Sequence, residues 1–174
     1  MAESVILVNG LPGAGKSTLS NLLGEELGVP VVSKDRIKEA LADICLGKVG
    51  SGRLGQIASE TMWQVISAVP GTVIAESWWY RPRDLAFVCE GIAQSSSPKI
   101  VEIWCDVSSS LAWKRYSDRQ RHETHPTGIT SEPEWAAWSA NAAPLGIARI
   151  VRIDTSSPVD VPALVGMLST TVDV

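Results

Sequence analysis

Residues Gly10 to Ser17 read G-L-P-G-A-G-K-S, between the apolar run Val5-Ile6-Leu7-Val8 and the helix-forming stretch Thr18-Leu19-Ser20-Asn21-Leu22-Leu23. A G-x-x-x-x-G-K-[ST] pattern between strand and helix is the signature of a phosphate-binding loop. Its glycines let successive backbone N–H groups turn inward around a polyphosphate, and the following helix adds its partly positive N-terminus. Gly10, Leu11, Pro12, Gly13, Ala14 and Gly15 are therefore expected to wrap a nucleoside triphosphate. Lys16 would reach the β- and γ-phosphates, and Ser17, followed by Thr18, would place its hydroxyl on Mg²⁺.

A bound triphosphate can be transferred, hydrolysed or merely sensed, and the residues at the other strand ends distinguish these outcomes. Val31-Val32-Ser33 runs into Lys34-Asp35-Arg36, which brings Asp35 and Arg36 to the mouth of the site. Transfer to a hydroxyl needs a carboxylate that orients the nucleophile and takes its proton, a role that Asp35 fits. Transfer to a phosphate needs no base and would call for arginines instead. Asp35 also suits a helix N-cap; beside a phosphate loop the base is the favoured reading. Glu76 closes the apolar stretch T-V-I-A-E, where an acid can serve Mg²⁺ or the acceptor.

Trp78-Trp79-Tyr80 follow at once, and three large aromatics in a loop point to an acceptor-pocket wall, with local packing as the alternative. The other tryptophans (Trp63, Trp104, Trp113, Trp135, Trp138) lie on expected helices or a strand and are assigned to core. Arg81 and Arg83 lie on the acceptor side, where they could meet an anionic part of a substrate. Arg115 and Arg119 are spaced i, i+4 and share a helical face; with Arg121 they could close over the transferring phosphate and stabilise its charge. His122 and His125 are read as exposed lid residues, with no metal or base role.

Positioning these groups requires strands and helices in alternation, and the chain supplies them. Strands are expected at 5–9, 29–33, 72–76, 100–105 and 150–154. Helices are expected at 16–27, 35–46, 54–69, 82–94, 108–119, 132–141 and 160–168, with glycine-rich 47–53 and irregular 122–130 as loops. The fold class that follows is α/β: a P-loop NTPase with a doubly wound, parallel five-stranded sheet, helices on both faces and a small lid, like nucleoside-monophosphate kinases. Residues 1–174 are expected to form one domain with its lid around 115–130.

Composition narrows the partners. The 174 residues carry a formal net charge of −4 and a pI near 5.2, so no global basic surface advertises nucleic acid. Three cysteines without metal spacing suit a reducing compartment; Cys89 and Cys105 are read as buried thiols. With no leader pattern and no apolar run of membrane-spanning length, a soluble cytoplasmic protein is expected.

Together these residues resemble the small P-loop kinases that include chloramphenicol phosphotransferase and the kinase domain of polynucleotide 5′-hydroxyl kinases. The resemblance runs through G-L-P-G-A-G-K-S-T, V-S-K-D-R, the strand-end acid with Arg83 after it, R-x-x-x-R at Arg115 and Arg119, R-Q-R-H-E-T-H-P, and R-I-D-T-S. It implies that Asp35 activates an acceptor hydroxyl and that arginines of the lid contact phosphates. It further implies that the loop from Asp154 and Thr155 to Pro158 lies near the nucleotide base. The strand-end acid is often Asp in that group and is Glu76 here; the Trp78-Trp79-Tyr80 run matches no named subfamily, so the resemblance implies no particular acceptor. No N-K-x-D guanine-reading motif is present, so ATP is expected. The function expected is ATP- and Mg²⁺-dependent phosphoryl transfer to a hydroxyl of a small molecule. A polynucleotide 5′-kinase, a regulatory nucleotide-binding protein and a nucleoside-monophosphate kinase are the competing readings.

Overall fold

The computed structural model describes residues 2–95, 98–119, 122–125, 131–169 and 171–172. Its first element, β1 (Ala2–Asn9), is buried from Ser4 to Asn9, as a strand covered on both faces must be. It leads through the glycine-rich loop into α1 (Lys16–Leu27), which ends on Gly28 with φ +65°, a left-handed cap that glycine adopts without steric cost. There follow β2 (Val31–Ser33), α2 (Lys34–Ile44), α3 (Ser51–Ala68), β3 (Gly71–Glu76), α4 (Arg81–Gln94) and β4 (Lys99–Asp106). Then come α5 (Ser109–Asp118), α6 (Glu132–Ala140), β5 (Arg149–Asp154) and α7 (Val161–Leu168).

The sheet order is β2-β3-β1-β4-β5, and every pairing is parallel. The five-stranded, doubly wound α/β architecture expected from the sequence is therefore the one observed. Successive β1 side chains point to opposite faces. Ile6 and Val8 join Leu19, Leu23, Leu164 and Leu168 in one core, while Val5 and Leu7 join Met62, Trp63, Ile66 and Val88 in the other. The strand order reverses at β1, since β3 lies on one side and β4 on the other. In open α/β sheets that switch point carries the ligand crevice at the carboxyl ends of the strands.

Three local expectations need correction. Helix α3 begins at Ser51 rather than Leu54, because Gly50 serves as its N-cap and Lys38 Nζ donates to Ser51 Oγ at 2.8 Å. This tertiary bond outweighs the low helix propensity of Gly52. Cys89 is exposed, whereas Cys105 is buried as expected. Trp138 is only half-buried and faces a cleft, unlike Trp63, Trp104 and Trp135. Gly91 lies against the Trp63 indole so closely that a Cβ there would stand 2.3 Å from the ring, a contact with no sequence signal. Among the described residues, no helix is long and apolar enough to cross a membrane.

Candidate active site

The phosphate loop has the backbone its glycines allow. Gly10, Gly13 and Gly15 all have positive φ (148°, 83° and 81°). A Cβ on Gly13 would stand 2.2 Å from the Ala112 carbonyl oxygen, so this glycine is also what lets α5 pack against the loop. Lys16 is 8% exposed and folds back so that Nζ donates to the carbonyl oxygens of Gly10 and Leu11, each at 3.0 Å. Burial pushes its pKa below the usual lysine value, while the nearby negative charges of Glu76 and Asp35 act in the opposite direction.

Strand register brings the next groups together. Val8 and Ser33 are both Cα partners of Glu76, so the side chains of Ser33 and Glu76 share a face. Ser33 Oγ donates to Glu76 Oε2 at 2.5 Å, and Ser17 Oγ donates to Glu76 Oε1 at 3.3 Å. Glu76 is 3% exposed. A hydroxyl and a carboxylate converging at the loop are hard oxygen donors, and Mg²⁺ is held by few such protein ligands plus phosphates. The expected pair Ser17 and Glu76 therefore fits the ion. Among the described residues, no group of three or more His, Cys, Asp or Glu could hold a metal by itself.

Ser33, not Asp35, caps α2, its Oγ lying 3.5 Å from the Arg36 N–H. Asp35 is exposed and lines the cleft that also contains Gly13, Gly15, Lys16, Ser17, Thr18 and Glu76. Its carboxylate is thereby left for other work. This cleft, of about 750 Å³, falls in the range of small-ligand sites. Trp78, Arg83, Arg115 and Arg119 line it as well, joined by Lys34, Glu39, Tyr116, His122, His125 and Trp138.

Several expected site residues lie elsewhere. Trp79 is 3% exposed and belongs to the core, because the Asn9 side chain clamps its backbone N–H and carbonyl. Tyr80 does not line the cleft; its N–H donates to Asp84 and its ring leans on Trp78 at 5.7 Å. Arg36 faces a separate surface depression beside Asn21 and Glu25. Arg81 is engaged by the Leu145 carbonyl at 2.9 Å rather than by the cleft. Asp154 is exposed at the end of β5, its pKa held below the usual value by hydrogen bonds from Ser156. Arg121 lies outside the described residues.

Thr155, expected near the nucleotide, does not line the cleft. It is buried, and its Oγ1 donates to the Ala14 carbonyl at 2.7 Å. Arg115 reinforces this seat by donating to the carbonyls of Thr155 (2.9 Å) and Ser156 (3.1 Å). The loop after β5 thus braces the phosphate loop from outside.

The histidines also differ from expectation. Both are partly buried and meet carboxylates one turn apart on α2: His122 with Asp43 and His125 with Glu39, each at 2.9 Å. Behind them Trp113, Tyr116 and Trp135 form a ring cluster with centroids 5.0 to 6.0 Å apart, so α6 seats against α5 and Trp138 reaches Trp78. A second buried network was invisible in sequence. Glu102, fully buried, accepts from Asn9 Nδ2 and from the N–H groups of Leu145 and Gly146.

The family described as AAA domain matches residues 5–145, and the chain belongs to that family. No curated protein matches the sequence. Solved structures with similar folds include a candidate kinase from Chloroflexus aurantiacus j-10-fl, at 24% identity over 98% of both chains with a TM-score of 0.81. Shikimate kinase from Acinetobacter baumannii, in complex with shikimate, is 16% identical over 95% of this chain and 90% of its own, with a TM-score of 0.63. A gluconokinase from Sinorhizobium meliloti 1021 is 18% identical over 94% and 88%, with a TM-score of 0.57. These likenesses are of fold.

Proposed function

We propose that this protein is an ATP- and Mg²⁺-dependent kinase that phosphorylates a hydroxyl of a small molecule, acting as one domain with a lid around residues 115–130. The observation that carries the reading is the exposed Asp35 carboxylate, freed from capping by Ser33, in the same cleft as Lys16 and Ser17. The naming of three structural neighbours as kinases supports it.

In this reading the loop amides and Lys16 hold the triphosphate. Ser17 and Glu76 would hold Mg²⁺, which would supply charge neutralisation at the β- and γ-phosphates. Asp35 accepts the proton of the acceptor hydroxyl as its oxygen bonds to the γ-phosphorus; the bond from that phosphorus to the β-bridging oxygen breaks, and ADP leaves. Arg119 and Arg115 balance charge on the transferring group, with Arg121 a further candidate. Trp78 and Arg83 face the acceptor.

The test is ATP consumption with nucleosides, aminosugars, sugar acids, antibiotics and a 5′-hydroxyl oligonucleotide, comparing wild type with Asp35→Asn. Stimulation by a small molecule in wild type alone is expected. Stimulation only by the oligonucleotide would assign a polynucleotide 5′-kinase. Tight ATP binding without stimulated turnover would favour a regulatory role.

A further inference from the structure

Lys34, Asp35, Glu39, Trp78, Arg83 and Trp138 line the cleft in the part that the kinase reading assigns to the acceptor, and their charges are unequally engaged. Glu39 pairs with His125 at 2.9 Å. Arg83 directs Nε and one Nη at the two oxygens of Asp84, at 2.7 and 2.8 Å, and Asp84 also accepts the Tyr80 N–H. Those cations and anions are already matched. Lys34, half-buried at the first position of α2, makes no hydrogen bond or ion pair with any described residue. Its neighbour Asp35 acts on it by charge alone, since adjacent helical residues project in different directions.

A half-buried ammonium without a partner is unfavourable unless something supplies the opposite charge. Burial accordingly lowers the Lys34 pKa, an effect that Asp35 and Asp84 oppose and Arg83 adds to. A bound anion would reverse the shift. Trp78 and Trp138, both half-buried, line the same cleft, with ring centroids 6.5 Å apart and planes inclined at 49°. Two tilted indoles make an angled apolar wall that suits a flat or ring-shaped body.

Resting on the kinase reading above, we propose that the acceptor is a small ring-containing hydroxy acid, its carboxylate on Lys34, its ring against Trp78 and Trp138, and its hydroxyl presented to Asp35. The cleft thus sorts acceptors by charge: a neutral alcohol of the same shape leaves Lys34 unmatched.

Matched pairs test this directly. The acids 4-(hydroxymethyl)benzoate, 3-(hydroxymethyl)benzoate and 4-(2-hydroxyethyl)benzoate are compared with their carboxamides, by quenching of tryptophan fluorescence and by ADP release with ATP. Wild type should bind at least one acid roughly 10- to 100-fold more tightly than its amide, the range for one charge-assisted hydrogen bond. Lys34→Met should abolish that preference, and Lys34→Arg should restore most of it. Equal binding of acid and amide, a preference that survives in Lys34→Met, or no binding by any acid would each overturn the proposal. Lys34-dependent binding of acids with no phosphate transferred to any of them would count against the kinase reading while leaving the anion subsite intact.

Discussion

Thr155 Oγ1 donates to the carbonyl of Ala14 at 2.7 Å, joining the loop after the last strand to the middle of the phosphate loop 141 residues earlier. Both groups are buried, so neither has water as a substitute. Thr155→Val keeps the shape and leaves the Ala14 carbonyl without this donor, a loss of about 1–3 kcal/mol for a buried group. The denaturation midpoint should fall, and ATP affinity should weaken because the loop loses its brace. Thr155→Ser should behave nearly as wild type in both measurements.

Asp35→Asn removes a proton acceptor and nothing that holds the helix, since Ser33 is the cap. Turnover should drop by roughly 10²- to 10⁴-fold, the usual contribution of a positioned base, with ATP affinity and thermal stability close to wild type. A rate within a few-fold of wild type, measured with the true acceptor, would refute the base assignment.

Glu76→Gln keeps an acceptor for Ser17 and Ser33 yet removes the charge beside Lys16. Because Glu76 raises the Lys16 pKa, its loss leaves burial less opposed, and the lysine pKa should fall further. The Mg²⁺ concentration for half-maximal activity should rise, and activity should recover partly at high Mg²⁺. A titration unchanged from wild type would mean that Glu76 serves structure alone.

Gly91→Ala should destabilise without touching the nucleotide site. The new Cβ would meet the Trp63 ring at 2.3 Å, and Trp63, on α3, is buried in the core. Overpacking of this kind costs about 1–3 kcal/mol. Chemical denaturation should show the loss, while ATP affinity measured on the folded variant stays the same.

Thiol chemistry separates two cysteines. Burial pushes the Cys105 pKa from 9.0 up to about 12, whereas Cys89 is exposed. At pH 8 iodoacetamide should label Cys89 in the native protein and Cys105 only after unfolding. The linkage has a definite sign: above pH 9 the unfolded chain releases the Cys105 proton first, so this group's stabilisation declines from pH 9 to about 12. Native labelling of Cys105 at the rate of Cys89 would contradict its burial.

Much of this protein is written locally. The phosphate loop is a contiguous motif whose glycines are needed for backbone reasons, and alternating apolar runs and caps are enough to specify strands, helices and a parallel sheet. Asp35, Glu76, Trp78, Arg83, Arg115 and Arg119 could be located because each sits at a strand end or on a helix face near that motif. Only the tertiary structure could decide which neighbours share a surface. It put Trp79 in the core and Trp78 in the cleft, although they are adjacent, because Asn9 holds the chain between them. It turned Thr155 toward a backbone carbonyl and tied Arg81 to Leu145. It also brought Trp138, unmarked by any motif, and Lys34, given no role in the sequence reading, into the same cleft. Periodicity reports the direction of a side chain relative to its own helix or strand; what that side chain meets depends on packing between elements far apart in the chain.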